Sequence, residues 1–313
     1  MKTKVLLIHD AAIDEYMSTV LLTTMPGIEL AGIVLCSADC IGGIAMQTAW
    51  KIQNFVGQPK IPVTLSGSRG LNPFPWPYRS DCIGQSQVPA LERFGPNPQW
   101  PAYPDGGAFL KEYFANLEGM VTVLCLCPIT PLTDFLQTMP GAAKKIERLI
   151  WMGGAINVGG NLDPTTLPPV VANPYAEWNV FWDPPAVQYL FEQTSFPITL
   201  FPLDITNSAK VTPGFLSSLL IAGKQFRYAD LARQSYALVA NEPFYCLWDV
   251  TTTTFLARPD LYKPAQPMLL GVDADGDKPG AVFAKPGGRK VDVVLDFADR
   301  DGFYSYVVKQ FSR

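Results

Sequence analysis

Short apolar runs alternate with helix-period segments along most of this chain. Val5-Leu6-Leu7-Ile8 is continuously apolar and reads as a buried strand, and residues 15–25 repeat their apolar positions at helical spacing. The same alternation predicts a strand over residues 28–36, a helix over 41–56 and a strand over 61–65. Residues 121–127 and 149–152 are further apolar strands, and 198–202 and 291–295 complete the set. Strands alternating with helices predict an α/β fold: an open, mostly parallel sheet with helices on both faces and a Rossmann-like core. In such sheets ligands bind beyond the carboxyl ends of the strands. Those ends are His9-Asp10, Ser37-Ala38-Asp39 and Pro128-Ile129-Thr130.

Two segments break the pattern. Residues 68–104 hold eight of the 29 prolines together with Trp76, Tyr78 and Trp100, so regular structure cannot run through them. Residues 153–173 are rich in Gly, Pro and Asn. Long loops inside compact domains are usually functional, and the aromatic residues of the first point to a lid or an oligomer contact. There is no linker-like shift in composition and no internal repeat, so residues 1–313 are expected to form one domain.

Composition narrows the classes of function. With 48% hydrophobic and 17% charged residues the chain is an ordinary globular one, and its net charge of −4 argues against a nucleic-acid partner. No apolar run approaches a membrane span. Only four apolar residues separate Lys4 from His9-Asp10, too few for a signal peptide. Six cysteines are too few for a disulfide scaffold of this length, and Cys125-Leu126-Cys127 alternates within an apolar strand as buried reduced thiols would. A cytoplasmic protein is expected. His9 is the one histidine, so a histidine-rich zinc site is excluded and a serine or cysteine hydrolase would have to be built around that residue.

The chemistry is therefore expected to run on carboxylates, amides and aromatics, with room for a hard metal. Asp10, Asp14 and Glu15 crowd the first strand-to-helix turn. Either Asp14 caps that helix and Glu15 favours its first turn, or the three carboxylates are held by a cation or a hydrogen-bond network. Asp39 follows the second strand. Glu177-Trp178-Asn179 precedes Trp182-Asp183-Pro184, and Trp248-Asp249 sits in an apolar helical pattern. Each has a structural explanation: Asp183 before proline starts a helix, and tryptophans fill cores. Buried carboxylates are nonetheless costly without partners.

Taken in order, "HDAAIDE", "ITPLTD", "IWMGGAINVGGN", "AEWNVFWDPP" and "LWD" resemble the motifs of the inosine-uridine nucleoside hydrolase family across nearly the whole chain. The tryptophan-bearing versions are most similar to its purine-preferring branch. The resemblance implies a nucleoside hydrolase-like fold that splits the N-glycosidic bond of a purine ribonucleoside or related N-riboside. It implies Ca2+ held by Asp10, Glu15, Asp249 and the Ile129 carbonyl. Asp10 would also be the base that activates a metal-bound water for attack on the anomeric carbon. Asp14 would bind ribose hydroxyls, Asn161, Glu177 and Asn179 would grip the sugar, and Asp39 would lie near sugar or base. Trp248, with Tyr78 or Trp76, would stack on the leaving base. A homo-oligomer, dimer or tetramer, is expected by the same resemblance.

The chain also departs from the family pattern. Ile8 replaces the first Asp, Ala11-Ala12 replaces Pro-Gly, and Glu15 replaces the second Asp of a pair. Loss of glycine is expected to alter the turn that aims Asp10, because alanine resists positive φ. Asp134 stands in place of an amide, and Leu247-Trp248 in place of a base-side histidine. These changes leave two alternatives open: a metal-independent hydrolase of another sugar derivative, or a non-catalytic sugar- or nucleoside-binding homologue.

Overall fold

The computed structural model describes residues 2–74, 78–95, 104–165, 167–169 and 171–313. Nine strands form one sheet: β1 (Thr3–His9), β2 (Ile28–Leu35), β3 (Val63–Leu65), β4 (Val121–Leu126), β5 (Ile146–Met152), β6 (Ile198–Phe201), β7 (Gln266–Val272), β8 (Val282–Ala284) and β9 (Arg289–Val293). Their order is β3-β2-β1-β4-β5-β6-β9-β7-β8. The first seven of these run parallel, and β7 pairs antiparallel with both β9 and β8. The mostly parallel α/β architecture read from the sequence is the one observed.

Burial on both faces explains the unbroken apolar strands. Val5 and Leu7 of β1 pack into one hydrophobic cluster with the helix α1 (Ile13–Thr24), while Leu6 and Ile8 pack into a second cluster on the opposite face. The antiparallel edge was not anticipated. β8 has three residues, and Gln266-Pro267 and Gly271 interrupt the apolar pattern of β7. Among the described residues of 68–104 there are one six-residue helix, Asp81–Ser86, and two 3-10 turns. Residues 153–173 contain no helix or strand among those described. No helix of the described residues is long and apolar enough to cross a membrane.

The strand order reverses direction at β1. The chain moves outward through β2 and β3, then returns to add β4 on the other side of β1. Connections therefore diverge above the carboxyl ends of β1 and β4 and leave a crevice between them.

Candidate active site

A cavity of about 720 Å³ opens at that crevice. Asp10 leaves the end of β1 and Glu15 rises from the first turn of α1. Asp39 follows β2, Glu177 caps the short helix Trp178–Phe181 that contains Asn179, and Asp249 lies in the first turn of the helix Trp248–Thr254. All six line the cavity, with Asn161 and Trp248. The structure thus brings together most of the residues singled out from the sequence, drawn from five chain segments.

The floor is a network of carboxylates, of which Asp39 also feels the positive charge of Arg79. Asp10 Oδ2 accepts from the Asp39 N–H at 3.2 Å, and the Asp10 and Glu15 carboxyl groups share a hydrogen bond. Burial pushes Asp10 up to about 6. Burial and the charges of Asp249, Asp10 and Asp39 push Glu15 well above its ordinary value. Asp39 and Asp249 are likewise raised by burial and by neighbouring acids. Glu15 Oε2, Asp39 Oδ1 and Asp249 Oδ1 are buried with no hydrogen-bond partner. Such orphaned anionic oxygens suit a hard, oxygen-seeking cation. The donor chemistry fits, although no three acidic, thiol or imidazole groups among the described residues already enclose a common metal position.

Three backbone donors fix Glu177 at the start of the short helix that follows it. Its Oε1 accepts from Asn179 N–H at 2.8 Å, and its Oε2 accepts from Gly154 N–H at 2.8 Å and Val180 N–H at 3.3 Å. Burial still raises it to about 7. Asn179 donates its Nδ2 to the Met152 carbonyl at 3.1 Å, and Asn161 Oδ1 accepts the Trp178 N–H at 3.1 Å. The Trp248 ring meets Tyr245 edge-on at 4.9 Å, and its Nε1 donates to Asn207 Oδ1 at 3.2 Å. One aromatic wall therefore stands opposite the acidic floor.

Two expected ligands are placed elsewhere. Asp14 does not line the cavity. Its Oδ1 accepts from the Tyr236 hydroxyl at 2.6 Å, and its Oδ2 takes the N–H groups of Asp249 and Val250 at 2.7 and 2.8 Å. It does not cap its own helix, whose N-cap Ala12 has no side-chain bond. It caps the helix that carries Asp249. The Ile129 carbonyl takes the N–H groups of Leu132 and Thr133 at 3.0 and 3.2 Å, and Ile129 too lies outside the cavity lining. Trp76 lies outside the described residues, and the Tyr78 side chain does as well. Asp134 accepts from the Ser68 hydroxyl, and Asp183 accepts from Thr130 at a helix start; neither reaches the cavity.

The turn after Asp10 has a positive φ at its first alanine, the position of the family's proline, and not at Ala12. Ala11 sits at φ 69°, the one non-glycine in that region among the described residues, a conformation that costs about 1–2 kcal/mol for an L-residue. Reasoning from sequence missed Asp81, Asn207, Lys210 and Glu242 at the rim. Asn207 follows β6 closely enough that the strand-end rule points to it. Asp81 sits in the proline-rich segment, where no periodicity signals it. Burial and Glu242 push Asp81 up to about 7.

Comparison with known proteins places this cavity in context. A family model described as inosine-uridine preferring nucleoside hydrolase matches residues 5–305. The solved inosine-uridine preferring nucleoside hydrolase of Bacillus anthracis superposes with a TM-score of 0.90 at 33% identity, covering 100% of this chain and 99% of that one. The purine-preferring ribonucleoside hydrolase of Gardnerella vaginalis shares the fold, with a TM-score of 0.80 at 19% identity over 99% of this chain and 98% of that one. The non-specific ribonucleoside hydrolase RihC of Salmonella agona is 25% identical over 211 residues, 65% of this chain and 64% of that protein.

Proposed function

The chain belongs to the inosine-uridine preferring nucleoside hydrolase family and is an N-glycosyl hydrolase of ribonucleosides, in which we propose that Asp10 is the general base and that purine nucleosides are the substrates. The observation that carries this reading is the position of Asp10. It lies at the bottom of the acidic floor, with Oδ2 held by the Asp39 N–H.

In this reading Asp10 takes a proton from a water molecule whose oxygen bonds to the anomeric carbon. The electron pair of the breaking C–N bond leaves with the base, and a positioned base of this kind contributes roughly a hundred- to ten-thousandfold. Glu177, Asn179 and Asn161 surround the sugar and hold its hydroxyls. Glu177 accepts from them while its three backbone donors fix its rotamer. The Trp248–Tyr245 wall offers a broad face to a two-ring base. Calcium held by Asp10, Glu15 and Asp249 would supply positive charge that offsets their mutual repulsion and acidifies water. Asp14 supports this floor from beneath by holding the helix of Asp249.

Free, buried thiols at all six cysteines fit a reducing cytoplasm. Exposed Leu220 and Ile221 fit a contact with a second copy of the chain. Ile221→Glu should then convert the assembly to monomer in sedimentation, and an unchanged assembly would remove that contact. For the chemistry, Asp10→Asn should lower kcat for inosine on the order of a thousandfold with an unchanged melting temperature. A variant with wild-type turnover would remove Asp10 from its role.

A further inference from the structure

His9 is the only histidine of the chain, is wholly buried, and touches no part of the cavity. Its environment is nonetheless specific. The Ala11 N–H donates to His9 Nδ1 at 3.1 Å, so Nδ1 is the unprotonated nitrogen and the ring proton lies on Nε2. Nε2 has no partner. The ring is wedged edge-on against Tyr16 at 5.7 Å, and Tyr16 is tied by its hydroxyl to the Ala45 carbonyl at 3.1 Å. The His9 backbone is also fixed, because its carbonyl accepts the Cys36 N–H at 2.8 Å.

Between the two ends of this short side-chain-to-backbone bridge lies Asp10. Ala11 holds φ 69°, which alanine adopts only under constraint. Its buried N–H points away from any backbone acceptor and finds the imidazole instead. The bridge therefore closes a ring around the residue whose carboxylate reaches the cavity floor. If Ala11 relaxed to negative φ, the peptide that follows Asp10 would turn, and the Asp10 side chain would swing away from the Asp39 N–H.

We propose that His9 is a positioning residue for Asp10: its Nδ1 holds the left-handed turn at Ala11 and so aims the Asp10 carboxylate. This rests on the reading of Asp10 as the base. His9 takes no proton from substrate or water and contributes only by geometry. A misplacement of about 1 Å at a reacting group costs on the order of a hundredfold in rate, which sets the scale of the expected effect.

The test is kinetic, with inosine as substrate and melting temperatures alongside. His9→Phe keeps a ring against Tyr16 but offers no acceptor, and should lower kcat by about 30- to 100-fold with KM within about threefold. His9→Asn restores an acceptor and should recover most of kcat. The double variant His9→Phe/Ala11→Gly should also recover at least about tenfold, because glycine adopts positive φ without the hydrogen bond. A wild-type kcat in His9→Phe overturns the proposal. So does a loss that neither His9→Asn nor the added Ala11→Gly repairs, since that is the behaviour of simple core packing. Should the Phe variant not fold, selective 15N-histidine labelling of the wild-type protein shows a single imidazole. A protonated Nε2 with an acceptor Nδ1 supports the bridge, and a proton on Nδ1 overturns it. The two readings separate cleanly. Active Asp10→Asn removes both, whereas inactive Asp10→Asn with fully active His9→Phe removes only the present one.

Discussion

Floor and rim of the cavity are built on opposite plans. The floor comes from strand ends and first helical turns: Asp10, Glu15, Glu177 and Asp249 are all buried. The rim comes from other segments: Asp81 at the start of a short helix, with Lys210, Glu242 and Phe244, all partly or largely exposed. On the floor, like charges face each other with orphaned oxygens, an arrangement that is costly unless a cation or proton intervenes. At the rim, water screens the same kind of charge. Among the described residues the cavity is lined by eight carboxylates and one lysine, which makes it hostile to phosphorylated ligands and hospitable to neutral nucleosides. Under the proposed function, the difference divides the roles: reactivity and cation binding would belong to the floor, and preference for the leaving group to the rim.

The strongest way to break that division is at the floor. Asp249→Asn or Glu15→Gln should weaken calcium binding in titration calorimetry by at least roughly a hundredfold, the size seen when supports of a metal ligand are lost. Chelation should reduce wild-type turnover in parallel. Unchanged calcium affinity in both variants would move the cation elsewhere.

Next in size is the support beneath the floor. Asp14→Ala leaves the Tyr236 hydroxyl and two helix N–H groups unpaired, and should cost about 3 kcal/mol in denaturant unfolding. A loss below about 1 kcal/mol would show that the floor does not depend on this cap.

At the rim the effect is smaller. Trp248→Ala should raise KM for inosine about tenfold, corresponding to roughly 1.4 kcal/mol of lost stacking. Inhibition by free ribose should be untouched. Equal effects on both would place Trp248 in the sugar subsite.

The smallest effect is a pH dependence. Asp81 has an ordinary value near 3.8 and is raised to about 7 by burial and Glu242. The folded state therefore favours its protonated form. That contribution is complete below about pH 4 and is lost as pH rises through about 7. The melting temperature of the wild type should fall over that range, and Asp81→Asn should flatten the curve by a few degrees. Identical curves would mean that Asp81 is ionised in the fold.

Much of this was legible along the chain. Unbroken apolar strands announced a sheet buried on both faces, and acidic residues at strand ends announced a pocket above it. Asp10 was found this way, Glu15, Glu177, Asn179 and Asp249 through their motifs and the family resemblance, and all five line one cavity. Asp14 is the instructive exception. Local sequence makes it a cap of its own helix, and only the family resemblance gives it a sugar. Its partners lie 222, 235 and 236 residues away. The antiparallel strands β7 and β8 escaped for a different reason: short edge strands carry too few residues to display a period.

The turn at Asp10 draws the line between the two kinds of information. The sequence by itself determined that a buried strand ends in carboxylates at the start of a helix, because hydrophobic periodicity and charge are local properties. It also showed that two alanines stand where a flexible turn is needed. Only the tertiary structure decided that Ala11 takes the left-handed conformation and that the lone histidine accepts its N–H. It likewise decided that Asp14 caps a helix from the far end of the chain. Hydrogen bonds and steric confinement between distant segments select one backbone state among several that local preference allows, and they exist only once the sheet and helices have packed.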